Sequence, residues 1–113
     1  MRIDKLLPVI EGEQITSLPT GELEVSGGYC GDLMSDIIAH AESGDVWITM
    51  QVHENMVAIA GMKELSAVLL CAGRRPDNSV IDKANEQQVV LVSSPLTSFE
   101  IAGRLYSVGV RGV

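Results

Sequence analysis

The chain has 113 residues, about the allotment of one domain, with 46% apolar residues, only 4% aromatic ones and a net charge of −7. Few aromatic rings and few clustered cations exclude a stacking platform for single strands and a phosphate-backbone groove, so no nucleic-acid partner is expected. No apolar run approaches the roughly 18 residues of a membrane span. Pro8 and Glu11 interrupt the start before a signal-type apolar core forms. Cys30 and Cys71 fall in different units of the pattern described below, which suits two separate thiols in a reducing compartment rather than a disulfide framework. A single cytoplasmic domain over residues 1–113 with no membrane partner is the expectation, its core aliphatic and filled by methionines such as Met34, Met50, Met56 and Met62.

In chain order, Ile3 to Ile10 predicts a short helix, ended by Pro8 or by the Gly12 turn. Glu13 to Thr16 suits a first strand. Leu23-Glu24-Val25-Ser26 alternates like a strand with one solvated face, broken by Gly27-Gly28. From Asp32 the spacing turns helical, with Leu33, Met34, Ile37, Ile38 and Ala41 as the inward stripe and Ser43-Gly44 as the stop. Three apolar runs follow, Val46–Ile48, Ala67–Leu70 and Val89–Val92, each leading through small polar residues into a helical segment. The first of these helices covers Glu54 to Met62. The second follows Pro76 with Asp77 and Asn78 as caps. The last opens on Thr97-Ser98-Phe99-Glu100, a capping box, and stops at Gly109.

Strands alternating with helical patterns of about 10–15 residues predict an α/β fold: βα units around a mostly parallel or mixed central sheet, with helices on both faces. Ligands of such sheets bind where the loops leave the carboxyl ends of the strands. Gly28, Tyr29, Thr49, Gln51, His53, Arg74, Arg75 and Ser93 fall on that edge and are the candidate ligand-binding residues.

Each motif admits a bland alternative. The turn from Gly27 to Asp32 either holds an anion or is a tight turn whose Asp32 and Asp36 already complement a helix terminus. Asp32, Asp36 and His40 follow at helical spacing, either near a metal with Cys30 and His53 or as a solvated flank. The tight ligand pairs of strong metal sites are absent, so no metal or other cofactor is expected. Arg74-Arg75, the one pair of adjacent cations, suits a carboxylate or phosphate, or the carboxylates of a partner subunit. Ser93, Ser94 or Thr97 with His53 would imitate a nucleophile and base, but no Gly-x-Ser-x-Gly elbow is present and Thr97 has a capping role. Cys71 at a strand end suits a small core residue, with no lysine beside it to lower its pKa.

Gly44-Asp45-Val46-Trp47-Ile48-Thr49, Val68-Leu69-Leu70-Cys71-Ala72-Gly73 with Pro76, the strand Val89–Val92 and the helix start Thr97-Ser98-Phe99 together resemble the DRTGG domain family, from Gly27 to Gly109. A fainter likeness is to the amino-terminal domain of HPr kinase/phosphatase. Val52-His53 stands where the family has its signature Asp-Arg, and Cys71-Ala72-Gly73 where it has Thr-Gly-Gly. The resemblance implies an α/β domain without a catalytic centre, of a kind that accompanies regulatory CBS pairs or acetyl-group transferase domains and helps to form dimers. Short members carry serine-kinase labels, but this chain has no Gly-x-x-x-x-Gly-Lys-Ser/Thr loop. The expected function is therefore a non-catalytic regulatory or interaction domain, homodimeric and acting on a partner protein. A sensor of a nucleotide or other anionic small molecule at the sheet edge comes second, and a phosphotransferase a distant third.

Overall fold

The computed structural model describes residues 1–113. The chain forms five helices, α1 (Ile3–Val9), α2 (Met34–His40), α3 (Glu54–Met62), α4 (Asn78–Glu86) and α5 (Ser98–Ser107), and five strands, β1 (Glu13–Gln14), β2 (Gly28–Cys30), β3 (Val46–Thr49), β4 (Ala67–Leu70) and β5 (Leu91–Ser93), which alternate with the helices from β2 onward. The sheet order is β1-β5-β4-β3-β2. β2 to β5 run parallel, and β1 joins β5 antiparallel. This is the mixed, mostly parallel α/β arrangement expected from the alternating pattern.

Helices cover both faces because β3 and β4 are buried at every position, and all of these residues but Thr49 are apolar. Val46, Ile48, Ala67 and Leu69 meet Ile3 and Leu6 of α1 and Ile101 and Leu105 of α5. Trp47, Val68 and Leu70, pointing the other way by the two-residue period of a strand, meet Ile37 of α2, Met56, Val57 and Ala60 of α3, and Ala84 of α4.

Two local expectations need correction. Leu23–Ser26 is no strand: Glu24 makes only an isolated bridge to Arg2, and Leu23 is exposed. The edge strand is instead β2, and the glycines thought to break a strand open this one. A Cβ on Gly27 would stand 2.9 Å from Val113 and 3.1 Å from the Arg111 carbonyl. Residues 110–113 come this close because the Gly28 amide donates to Arg111 O at 2.9 Å and Val113 N donates to Gly28 O at 3.1 Å. The glycine serves close approach of a second backbone, which the pattern alone cannot distinguish from a turn.

The methionine-filled core also fails in part: Met56 is buried, whereas Met50 and Met62 are exposed, as are Leu33 and Ile38 of the proposed α2 stripe. Helix ends follow the cap residues more closely. Thr97 Oγ1 accepts from the Glu100 amide at 3.3 Å. The reciprocal half of the capping box is absent, since the Glu100 carboxylate turns to Arg104 at 3.7 Å. Asp77 occupies the N-cap of α4 without a side-chain cap bond. At the other end of α5, Gly109 has φ +106°. Its amide donates to Tyr106 O at 3.1 Å, and Val110 N donates to Leu105 O at 3.0 Å. This is a Schellman stop, for which glycine is suited because it bears no Cβ.

Candidate functional site

The connection after β4 leads to α4 on one face, whereas that after β5 leads to α5 on the other. Adjacent strands whose outgoing loops part in this way form a topological switch point, the usual ligand crevice of an open α/β sheet. Arg74, Arg75 and Ser93 stand at this point. The crevice, however, is closed by its own loops. Ala72 N donates to Leu96 O at 2.7 Å and Gly73 N to Ser94 O at 2.8 Å. The Ser93 hydroxyl donates to Arg74 O at 2.9 Å and that of Ser94 to Ile10 O at 2.7 Å. Arg75 pairs with Glu13 at 3.1 Å across an exposed surface. Arg74 is exposed and takes part in no ion pair.

A second group forms where β2 and β3 end. Asp32 lies before α2, not in its first turn as the spacing suggested. Its Oδ1 accepts from the Thr49 hydroxyl at 2.7 Å and from Met50 N at 2.8 Å. Gln51 Nε2 donates to the Asp32 carbonyl at 3.0 Å, and Gln51 N donates to Thr49 Oγ1 at 3.1 Å. Thr49 and Gln51 thus lie side by side, with their polar atoms engaged in a brace between loops. His53 is the N-cap of α3, its Nδ1 accepting from Asn55 N at 3.1 Å. The Tyr29 hydroxyl donates to Asp36, which also pairs with His40 at 3.1 Å. That bond, reinforced by desolvation, pushes the Tyr29 pKa up to about 12, because the carboxylate holds the phenol proton.

The eight candidate residues therefore do not form one site. Three inter-strand spacings, about 14 Å, part β2 from β5, and with it the Tyr29 side from Ser93. The same spacing separates Cys30, at the end of β2, from Cys71, which follows β4, with β3 between them and about 10 Å laterally, beyond disulfide reach. Desolvation raises the pKa of both thiols, with the charges of Cys71 and Asp32 acting in the same direction on Cys30. Neither is an activated nucleophile. The imagined serine–histidine pair is not assembled either, since each serine hydroxyl donates to a backbone carbonyl and His53 caps a helix.

Gly28 and Tyr29 contribute instead to a cavity of about 290 Å³ between α5, the β2 edge and residues 110–113. Its walls are mainly apolar, from Ile48, Ala102, Leu105, Val110 and Val113, with Cys30 and Arg111 at the margin. The Arg111 guanidinium lies 4.1 Å from the centroid of the Tyr106 ring. Its Nη1 donates to Tyr106 O at 2.9 Å. Pattern reasoning missed this pocket because its walls come from both ends of the chain segment beyond Gly27. The available signal was a basic residue just past the Gly109 stop, where cations complement helix carbonyls.

No protein-family model matches the chain, and no curated protein sequence matches it. The fold is similar to the crystal structure of the CBS and DRTGG domains of the regulatory region of Clostridium perfringens pyrophosphatase, complexed with its activator diadenosine tetraphosphate. The TM-score is 0.71 with 14% sequence identity over 92% of this chain. The chain spans 45% of that structure's length. The resemblance expected from the sequence is thus met at the level of fold alone: a DRTGG-like α/β structure.

Proposed function

We propose that this chain is a non-catalytic regulatory domain of the DRTGG type, homodimeric, which acts through contacts with partner proteins. The observation that carries this reading is an inversion at the carboxyl edge of the sheet. There the hydroxyls, amides and carboxylates are satisfied by one another, while large apolar side chains face solvent: Leu33 is 68%, Phe99 85% and Met50 44% exposed. Exposed apolar side chains grouped near one edge favour protein contact over ligand chemistry. The likeness to a pyrophosphatase regulatory region supports the same reading. Sedimentation at micromolar concentration tests it. A dimer is expected, and Phe99→Asp should give a folded monomer with an unchanged circular-dichroism spectrum and a melting temperature that no longer depends on concentration. A wild-type monomer at 50 μM, as a test concentration of roughly the usual affinity range, overturns the dimer.

A second reading, a sensor of a nucleotide or other anionic metabolite, is favoured by Arg74, a guanidinium without a carboxylate at the switch point, and by the nucleotide activator in the related complex. A ligand at 100 times its Kd stabilises by about 2.7 kcal/mol. Arg74→Ala should abolish that shift while leaving the oligomeric state alone.

A further inference from the structure

We propose that the cavity between α5, β2 and residues 110–113 binds a small amphipathic carboxylate, whose apolar body fills the cavity and whose carboxyl group meets the Arg111 guanidinium. The site is distinct from the switch point and does not depend on the regulatory reading above. At about 290 Å³ the cavity stands at the small end of ligand pockets, roughly 300–1,000 Å³. Its room comes from short side chains. Gly28 leaves space in which a Cβ would already stand 3.4 Å from Val110, and Ala102 leaves the wall of α5 low. A single ring or a short acyl chain fits this space, and a dinucleotide does not.

The charge points the same way. The chain carries 15 acidic against 8 basic residues, and Arg2, Arg75 and Arg104 each have a carboxylate within 4 Å. Arg111 has none. The one acidic side chain on α5, Glu100, is taken by Arg104. The guanidinium is nonetheless held in place, stacked on Tyr106 and tied through Nη1 to the carbonyls of Tyr106 and Val110. Nε and Nη2 remain without an acceptor, and a planar guanidinium edge matches a carboxylate with two parallel bonds. A cation already positioned loses little freedom on binding. One guanidinium in a chain of charge −7 balances a single carboxylate rather than a polyphosphate.

The test is titration of the full chain with 3-phenylpropionate and with its neutral amide, followed by calorimetry and by backbone chemical shifts. The acid should bind saturably, one per chain, with shifts centred on Ala102, Leu105 and Val110. Arg111→Gln should weaken the acid about tenfold or more, the usual scale of a lost charge-assisted pair, and leave the amide unchanged. Ala102→Trp, which fills the cavity, should remove both. Equal affinity for acid and amide, shifts centred on Arg74 and Ser93, retention of binding in Ala102→Trp, or no saturable binding at millimolar acid each overturns the proposal. The wild-type shift map decides the matter even if a variant fails to fold. A wild-type monomer in sedimentation would sink the dimer reading and leave this one standing.

Discussion

The Asp32 carboxylate stands 2.7 Å from the hydroxyl of Thr49, a side chain only 1% exposed at the end of β3. The same oxygen receives the Met50 amide, so one acidic residue ties the loop after β2 to the loop after β3. A negatively charged group near the usual ligand edge thereby serves as a fastener between neighbouring loops.

Removing it should be costly. Asp32→Ala leaves the buried Thr49 hydroxyl and the Met50 amide without their acceptor, and bonds to charged groups contribute about 1.5–3 kcal/mol. Urea unfolding should show a loss of about 2 kcal/mol with an unchanged m-value, and Asp32→Asn, which keeps one acceptor oxygen, a smaller loss.

Trp47 is fully buried, and its indole N–H donates to the Gly31 carbonyl at 2.7 Å. As the only tryptophan, it should emit at the blue end of the tryptophan range in the native state and shift red on unfolding. Trp47→Phe removes the donor and leaves a void, so a destabilisation of about 2–4 kcal/mol is expected from denaturant curves.

Tyr29 supplies a pH dependence. Its folded pKa of about 12 exceeds the ordinary value of 10.0, chiefly because its hydroxyl donates to Asp36. Between these values the folded chain keeps the phenol proton that the unfolded chain releases. The contribution is therefore complete below pH 10 and lost as pH rises towards 12. Melting temperatures over that window should fall less steeply in Tyr29→Phe than in the wild type.

At the start of α5 the two halves of the capping motif are separable. Thr97→Ala removes the acceptor of the Glu100 amide and should cost about 1 kcal/mol. Glu100→Ala removes only an exposed ion pair with Arg104, whose expected worth is below about 0.5 kcal/mol. Equal losses in the two variants would show that the box closes reciprocally in solution.

Much of the architecture was legible because it is written in short-range patterns. The runs Val46–Ile48 in β3 and Ala67–Leu70 in β4 are continuously apolar, so they had to be covered on both faces. α3 could be bounded at Glu54 and Met62, and Thr97 and Gly109 mark the ends of α5 through bonds to residues one turn away. Such signals depend on neighbours within about four positions, and any chain with this pattern would show them.

Other features required the assembled sheet. That Gly27 and Gly28 admit residues 110–113 rather than break a strand depends on a segment more than 80 positions away. The parting of the loops after β4 and β5 depends on which face α5 chose. The partners of Asp32, Arg75 and Ser94 lie 17, 62 and 84 positions distant. A polar side chain on a sheet edge can be placed there from periodicity, but whether it stays free for a ligand is settled by what the packed chain brings within 3 Å of it. At this edge the fold satisfied most of its own donors and acceptors, leaving Arg74 without a carboxylate, and beside α5 it left an apolar cavity bordered by the Arg111 guanidinium, which has none either.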